Sequence, residues 1–165
     1  MYPEILYVMT EDLIEVCQKA GLKLALAESC TGGLIAGCIT SVAGSSAVFE
    51  CGFITYSNQS KGELLDVPPP VFMQFGSVSE ECARAMAEGA LKNSQAQVAL
   101  SVTGIAGPGG ATADKPVGLV HIACAREGFE TQHQRHVFKG DRERVRIQTV
   151  ESSLKLLLNC CAVSD

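Results

Sequence analysis

Residues 22–39 read LKLALAESCTGGLIAGCI. Leu22 to Ala27 is a short, mostly apolar run suited to a buried strand, and Leu34, Ile35, Cys38 and Ile39 recur at helical spacing. Between them Glu28-Ser29-Cys30-Thr31-Gly32-Gly33 leaves room only for a tight loop, so the stretch reads strand, loop, helix. Upstream, Leu13, Val16, Cys17 and Ala20 mark a first helix, with Thr10 as its cap and Gly21 as its stop. Downstream, Val48 to Tyr56 is rich in β-branched and aromatic residues, and Ser57 caps a helix through Leu65.

The pattern then continues. Pro68-Pro69-Pro70 is expected to be a surface connection outside any helix or central strand. Ser77 or Ser79, followed by Glu80 and Glu81, starts a helix with Ala83, Met86, Ala87, Ala90 and Leu91 on its buried face. Ala96 to Val102 is apolar enough to be covered on both faces and runs into Thr103-Gly104-Ile105-Ala106-Gly107-Pro108-Gly109-Gly110. Val117 to Ala125 and Phe129 to Phe138 read as two more strands, the second at an edge, and Asp141 opens a long final helix. Alternating helices and apolar strands specify an α/β fold with a mostly parallel sheet covered on both faces. Residues 1–165 are expected to form one domain, with the loops at 28–33, 56–61 and 103–110 meeting at the carboxyl edge of the sheet, where such folds bind ligands.

Composition narrows the function. The 165 residues are 47% hydrophobic and 19% charged, with 13 basic and 18 acidic side chains giving a formal net charge of −5. A chain this apolar folds fully, and with no Lys/Arg block nucleic acid is not an expected partner. No apolar run approaches the roughly 18 to 20 residues of a membrane span. The N-terminus lacks a basic start followed by an apolar stretch and a cleavage site, so no membrane partner and a cytoplasmic location are expected. The eight cysteines form no C-x-x-C pair and no Cys/His cluster at metal-ligand spacing. They are expected to be buried thiols, and neither a metal nor a cofactor is expected.

Ser29 sits where a strand turns into a helix, so its hydroxyl can be exposed while the amides of Cys30, Thr31, Gly32 and Gly33 point free into the loop. That suits a nucleophile beside an oxyanion hole. The plainer alternative is that Ser29 or Thr31 merely caps the helix. His121, His133 and His136 fall in the last two strands and are expected to be surface or satisfied core positions. The base could instead be Lys61, about one turn into the helix after Tyr56-Ser57-Asn58-Gln59-Ser60, provided burial lowers its pKa. Tyr56 would relay a proton or hold the lysine. On spacing alone, a lone helical lysine such as Lys61 is usually a solvated surface side chain.

Several of these strings, taken in order, resemble one family. AESCTGGLIA at 27–36, GSSAVF at 44–49, TYSN at 55–58, VSE at 78–80, SVTGIAGPGG at 101–110 and KPVG at 115–118 resemble the C-terminal domain of the competence/damage-inducible protein CinA across nearly the whole chain. The resemblance implies a three-layer α/β/α sandwich, commonly a homodimer and without a metal. It also implies nicotinamide-nucleotide amidase activity, in which nicotinamide mononucleotide and water give nicotinate mononucleotide and ammonia in pyridine-nucleotide salvage. It places a Ser–Lys–Tyr arrangement on Ser29, Lys61 and Tyr56. The nucleotide would be bound by Cys30, Thr31 and Gly32, by Gly44 and Ser45, by Thr103 and Gly104, and by Arg142. Many members carry a further N-terminal domain, so a stand-alone version is expected here. A catalytically silent nucleotide-binding or regulatory module, or an amidase for another small amide, are the alternatives.

Overall fold

The computed structural model describes residues 1–162. These form helices α1 (Glu4–Ala20), α2 (Leu34–Thr40), α3 (Asn58–Leu65), α4 (Pro69–Phe75), α5 (Glu80–Lys92) and α6 (Arg142–Ala162). The strands are β1 (Leu24–Glu28), β2 (Phe49–Ile54), β3 (Val98–Gly104), β4 (Leu119–Arg126) and β5 (Gln132–Val137). They make one sheet in the order β2-β1-β3-β4-β5. β1 is parallel to both β2 and β3, while β4 is antiparallel to β3 and β5 antiparallel to β4, so four of the five strands share a direction. The fold is the expected α/β sandwich of three layers, and no described helix is long and apolar enough to cross a membrane.

Alternation along the strands sorts the two cores. Leu24, Leu26, Val98, Leu100, Val102, Val120 and Ile122 pack against α1, α2 and α6, where each fully buried aliphatic side chain contributes about 1.5–3 kcal/mol. The other face carries smaller residues, Ala25, Ala27 and Ala99, against Leu65, Val67, Cys82, Met86 and Ala90. Small residues let α5 lie close to the sheet, and Ser101 on β3 donates to the Ala83 carbonyl of α5 at 2.5 Å. Gly89 takes that closeness furthest, because a Cβ there would stand 1.8 Å from the Leu65 carbonyl oxygen.

Two local expectations change. Thr10 does not cap α1, which starts at Glu4; Thr10 is buried inside the helix and donates to the Leu6 carbonyl. Pro69 and Pro70 do not lie outside a helix but form the first turn of α4. First-turn amides have no intrahelical acceptor, so proline loses nothing there. Ser57 and Ser79 cap α3 and α5 as expected, and Asp141 accepts from the Arg144 amide at the start of α6.

The cap of α2 lies closest to the loop after β1, and it is neither Ser29 nor Thr31. Glu28, fully buried as the last residue of β1, accepts from the amides of Gly33 (3.0 Å), Ile35 (3.2 Å) and Ala36 (2.8 Å). A carboxylate at a helix N-terminus satisfies orphan donors and complements the helix dipole. It also ties the start of α2 to the end of β1 and thereby fixes the shape of the 29–33 loop.

Gly89→Ala should lower stability by roughly 1–3 kcal/mol in urea unfolding, although Ala ordinarily favours a helix interior, because the packing leaves no space. Glu28→Ala should cost at least about 2 kcal/mol in the same measurement, since it orphans buried amides, and Glu28→Gln should cost less because one oxygen still accepts.

Candidate active site

Ser29, one residue past β1, and Thr55, one residue past β2, continue the parallel ladder. The Ser29 amide donates to the Val102 carbonyl (3.1 Å), and the Thr55 amide to the Glu28 carbonyl (2.9 Å). Alternation turns Ser29 toward the face covered by α3 and α5. There Lys61, in the first turn of α3 and only 2% exposed, brings its Nζ within 3.1 Å of Ser29 Oγ. Its second partner is the Thr55 carbonyl oxygen at 2.7 Å. The Ser57 capping box sets where α3 begins and hence where Lys61 falls.

Burial drives the lysine pKa below its ordinary value; charge on Cys82 and Cys30 would oppose the shift. Both thiols are themselves pushed up to about 11, mainly by burial, so at neutral pH they are uncharged and leave that shift in place. The same fact separates Ser29 from its neighbour, because a thiol held that high is a poor nucleophile while the serine hydroxyl has an adjacent amine. A hydroxyl at hydrogen-bond distance from an amine that burial favours as neutral can be deprotonated and attack an electrophilic carbon.

The amides of the loop are not all free. Gly32 donates to the Ser29 carbonyl and Gly33 to Glu28, which leaves the Cys30 and Thr31 amides without a protein acceptor among the described residues. Arg146 of α6 holds this turn from the other side, donating to the carbonyls of Cys30 (3.1 Å) and Thr31 (2.8 Å). Gly32, at φ +58°, lies beside that guanidinium.

Tyr56 is not on the lysine. It is 63% exposed, and its hydroxyl accepts from Arg142 Nη2 at 3.0 Å, while Arg142 Nη1 donates to the Gly107 carbonyl at 2.9 Å. Strand alternation separates the neighbours, turning Thr55 inward and Tyr56 outward, so Thr55 holds the amine instead. Arg142 thus joins the 103–110 loop to the end of β2. Of the three arginines at the start of α6, Arg146 braces the serine loop, Arg142 bridges the two other loops and Arg144 is exposed.

Thr103 and Gly104 end β3 beside Ser29, with the Thr103 hydroxyl donating to the Ser77 carbonyl at 2.7 Å. Gly104 packs so tightly that a Cβ would meet the Leu119 carbonyl oxygen at 2.7 Å. Gly44 and Ser45 do not join this group within one chain. They precede β2 in a short 3-10 turn whose end, Val48, accepts from the Leu24 amide at the opposite end of β1. At about 3.3 Å per residue, the five residues of β1 put them roughly 16 Å from Ser29. An α2 of only seven residues carries the chain to that far edge.

The histidines stand apart. His121 and His133 stack with 2.9 Å between Nδ1 and Nε2, and burial beside His133 pushes His121 down to about 4. All eight cysteines are free thiols. Among the described residues no three His, Cys, Asp or Glu side chains could together hold a metal ion.

The residue missed from the sequence is Glu28. Its signal was an acidic side chain at the end of an apolar strand, before a helix whose own N-cap is a glycine with no side-chain cap. Thr55 was missed too; its neighbour Tyr56 carried the more conspicuous functional group.

The fold has close counterparts. The solved structure of competence/damage inducible protein CihA from Agrobacterium tumefaciens superposes with a TM-score of 0.94 at 43% identity, covering 96% of this chain and 98% of that one. The competence damage-inducible protein A (ComA) of Klebsiella pneumoniae gives 0.92 at 31% identity, covering 97% and 99%. A CinA-like protein of Geobacter sp. (strain M21) is 52% identical over 149 residues, which are 90% of this chain and 36% of that protein's length. The chain therefore spans little more than a third of that curated relative. The family model described as the CinA C-terminal domain matches residues 7–161, and the chain belongs to that family.

Proposed function

We propose that this chain is a nicotinamide-nucleotide amidase that converts nicotinamide mononucleotide and water into nicotinate mononucleotide and ammonia. The observation that carries the reading is the 3.1 Å approach of Lys61 Nζ to Ser29 Oγ, with the amine buried and its pKa depressed. Neutral Lys61 takes the Ser29 proton as Oγ bonds to the carboxamide carbon. The Cys30 and Thr31 amides receive the developing oxyanion. Lys61 then gives its proton to the leaving nitrogen, the C–N bond breaks and ammonia departs. Water, deprotonated by the same amine, hydrolyses the acyl-enzyme and restores Ser29.

Arg142, with Tyr56 and the 103–110 loop it joins, is the proposed nucleotide contact. A guanidinium fits a phosphate bidentately, and this one lies at the sheet edge where the three loops meet. Gly44 and Ser45 could take part only from another copy of the chain, given their place on the opposite edge.

Ammonia release from nicotinamide mononucleotide by the purified chain tests the reading. Ser29→Ala and Lys61→Met should each lower kcat about 10²–10⁴-fold or more while folding normally. Because the neutral amine is the base, activity should rise with pH through the depressed lysine pKa, placing the acid limb below the roughly 10.4 of free lysine. Full activity in Ser29→Ala would exclude the mechanism, and nucleotide binding with no ammonia from the unaltered chain would identify a silent binding module instead.

A further inference from the structure

Thr55 carries an unused group at the centre of this site. Its carbonyl accepts from Lys61 and its amide donates to Glu28, but its hydroxyl, on a fully buried residue, has no hydrogen-bond partner. Among the described residues two other buried hydroxyls share that state, those of Thr31 and Ser153, and neither belongs to a residue bonded to the lysine. An unpaired buried hydroxyl destabilises the fold, and valine would fill nearly the same volume without leaving a polar group unpaired. Cys51 and Phe53, at alternate positions before Thr55, pack on the α3–α5 face, so the Thr55 side chain lies on the face from which Lys61 approaches.

We propose that Thr55 is a positioning residue whose hydroxyl becomes the added acceptor for Lys61 once the amine is protonated. The inference rests on the Ser29–Lys61 chemistry proposed above. A neutral amine has two N–H donors and a lone pair; one N–H meets the Thr55 carbonyl and the lone pair faces the Ser29 hydroxyl. When the proton moves from Ser29 Oγ to Lys61 Nζ and Oγ bonds to the substrate carbon, the lysine holds three N–H groups in a buried pocket. One stays on the Thr55 carbonyl and one points to the leaving nitrogen. The Thr55 hydroxyl, on the residue that already holds the amine, takes the remaining one through a side-chain rotation. It is unpaired in the resting site because its partner exists only after proton transfer, which is where stabilisation lowers a barrier.

The groups facing Lys61 bear on its titration. Ser29 and Cys30 come from the loop after β1, Cys82 from α5 and Thr55 from the end of β2, and both thiols are neutral in the working range. Glu28 close by is engaged by the amides of α2. Besides the Ser29 hydroxyl oxygen, which is consumed when Oγ bonds to the substrate carbon, the Thr55 oxygens are the polar groups that favour the charged lysine.

Thr55→Val and Thr55→Ser test this by three readouts. For Thr55→Val, kcat for ammonia release from nicotinamide mononucleotide should fall about 10- to 100-fold, as for loss of a hydrogen bond to a charged group. The acid limb of the pH profile should move to lower pH, because the ammonium form loses an acceptor, while the urea midpoint stays level or rises. Thr55→Ser should restore rate and limb. The Lys61 titration, followed by its 13Cε shift and assigned with Lys61→Met, gives the same answer without turnover. If the unaltered chain releases no ammonia, the amidase reading fails, but a Lys61 pKa lowered in Thr55→Val still supports the Thr55 contact. An unchanged Lys61 pKa in Thr55→Val overturns the inference, as does a fall in rate with a fixed limb and a lowered urea midpoint.

Discussion

Everything at the candidate site follows from placing one amine in a dry pocket. A lysine at 2% exposure loses hydration that would stabilise its charge, so burial favours the neutral form, and the fold supplies two partners, a serine hydroxyl and a main-chain carbonyl. An ammonium with a carboxylate beside it would stay charged. Among the described residues no carboxylate meets Lys61; the nearby buried one, Glu28, is turned to the other side of the loop and occupied by three amides. Separating the two ionisable groups by a single turn of backbone keeps each in its own role.

The rest of the sheet edge is built to keep that arrangement still. Glu28 ties the start of α2 to β1, Arg146 ties α6 to the serine loop, and Arg142 ties the glycine-rich loop to Tyr56. Glu28 and Arg146 therefore hold the serine loop from two sides, while Arg142 fixes the two neighbouring loops to each other. The small residues of β1, β3 and α5 serve the same end by letting α5 and α3 approach the sheet closely enough for a lysine side chain to reach across. Tight packing here is a condition for the Lys61–Ser29 contact as well as for stability.

Much of the outline was legible in the residues. Strand–loop–helix at 22–39, capping serines at 57 and 79, and alternate apolar runs are local signals, and local signals are what a sequence carries directly. Ser29 and Lys61 were identifiable as candidates, with the resemblance to the CinA C-terminal family giving them weight that spacing alone did not. Thr10 misled because a buried threonine can satisfy itself on the carbonyl four residues earlier and resemble a cap in composition. Pro69 and Pro70 misled because proline is excluded from helix interiors but welcome in a first turn.

By itself, then, the sequence determined the layered α/β plan, the strands and the helices other than α4, and put Ser29 and Lys61 forward as candidates, since periodicity, capping chemistry and residue type are properties of short stretches. Tertiary structure alone decided which neighbours those groups would have. That Thr55 and not Tyr56 holds the lysine, that Glu28 caps α2, that Arg142 and Arg146 grip different loops, and that Gly44 and Ser45 face the far edge all depend on strand register and on distances between segments up to 116 positions apart. Such distances are set by how the helices close on the sheet, and no local pattern encodes them.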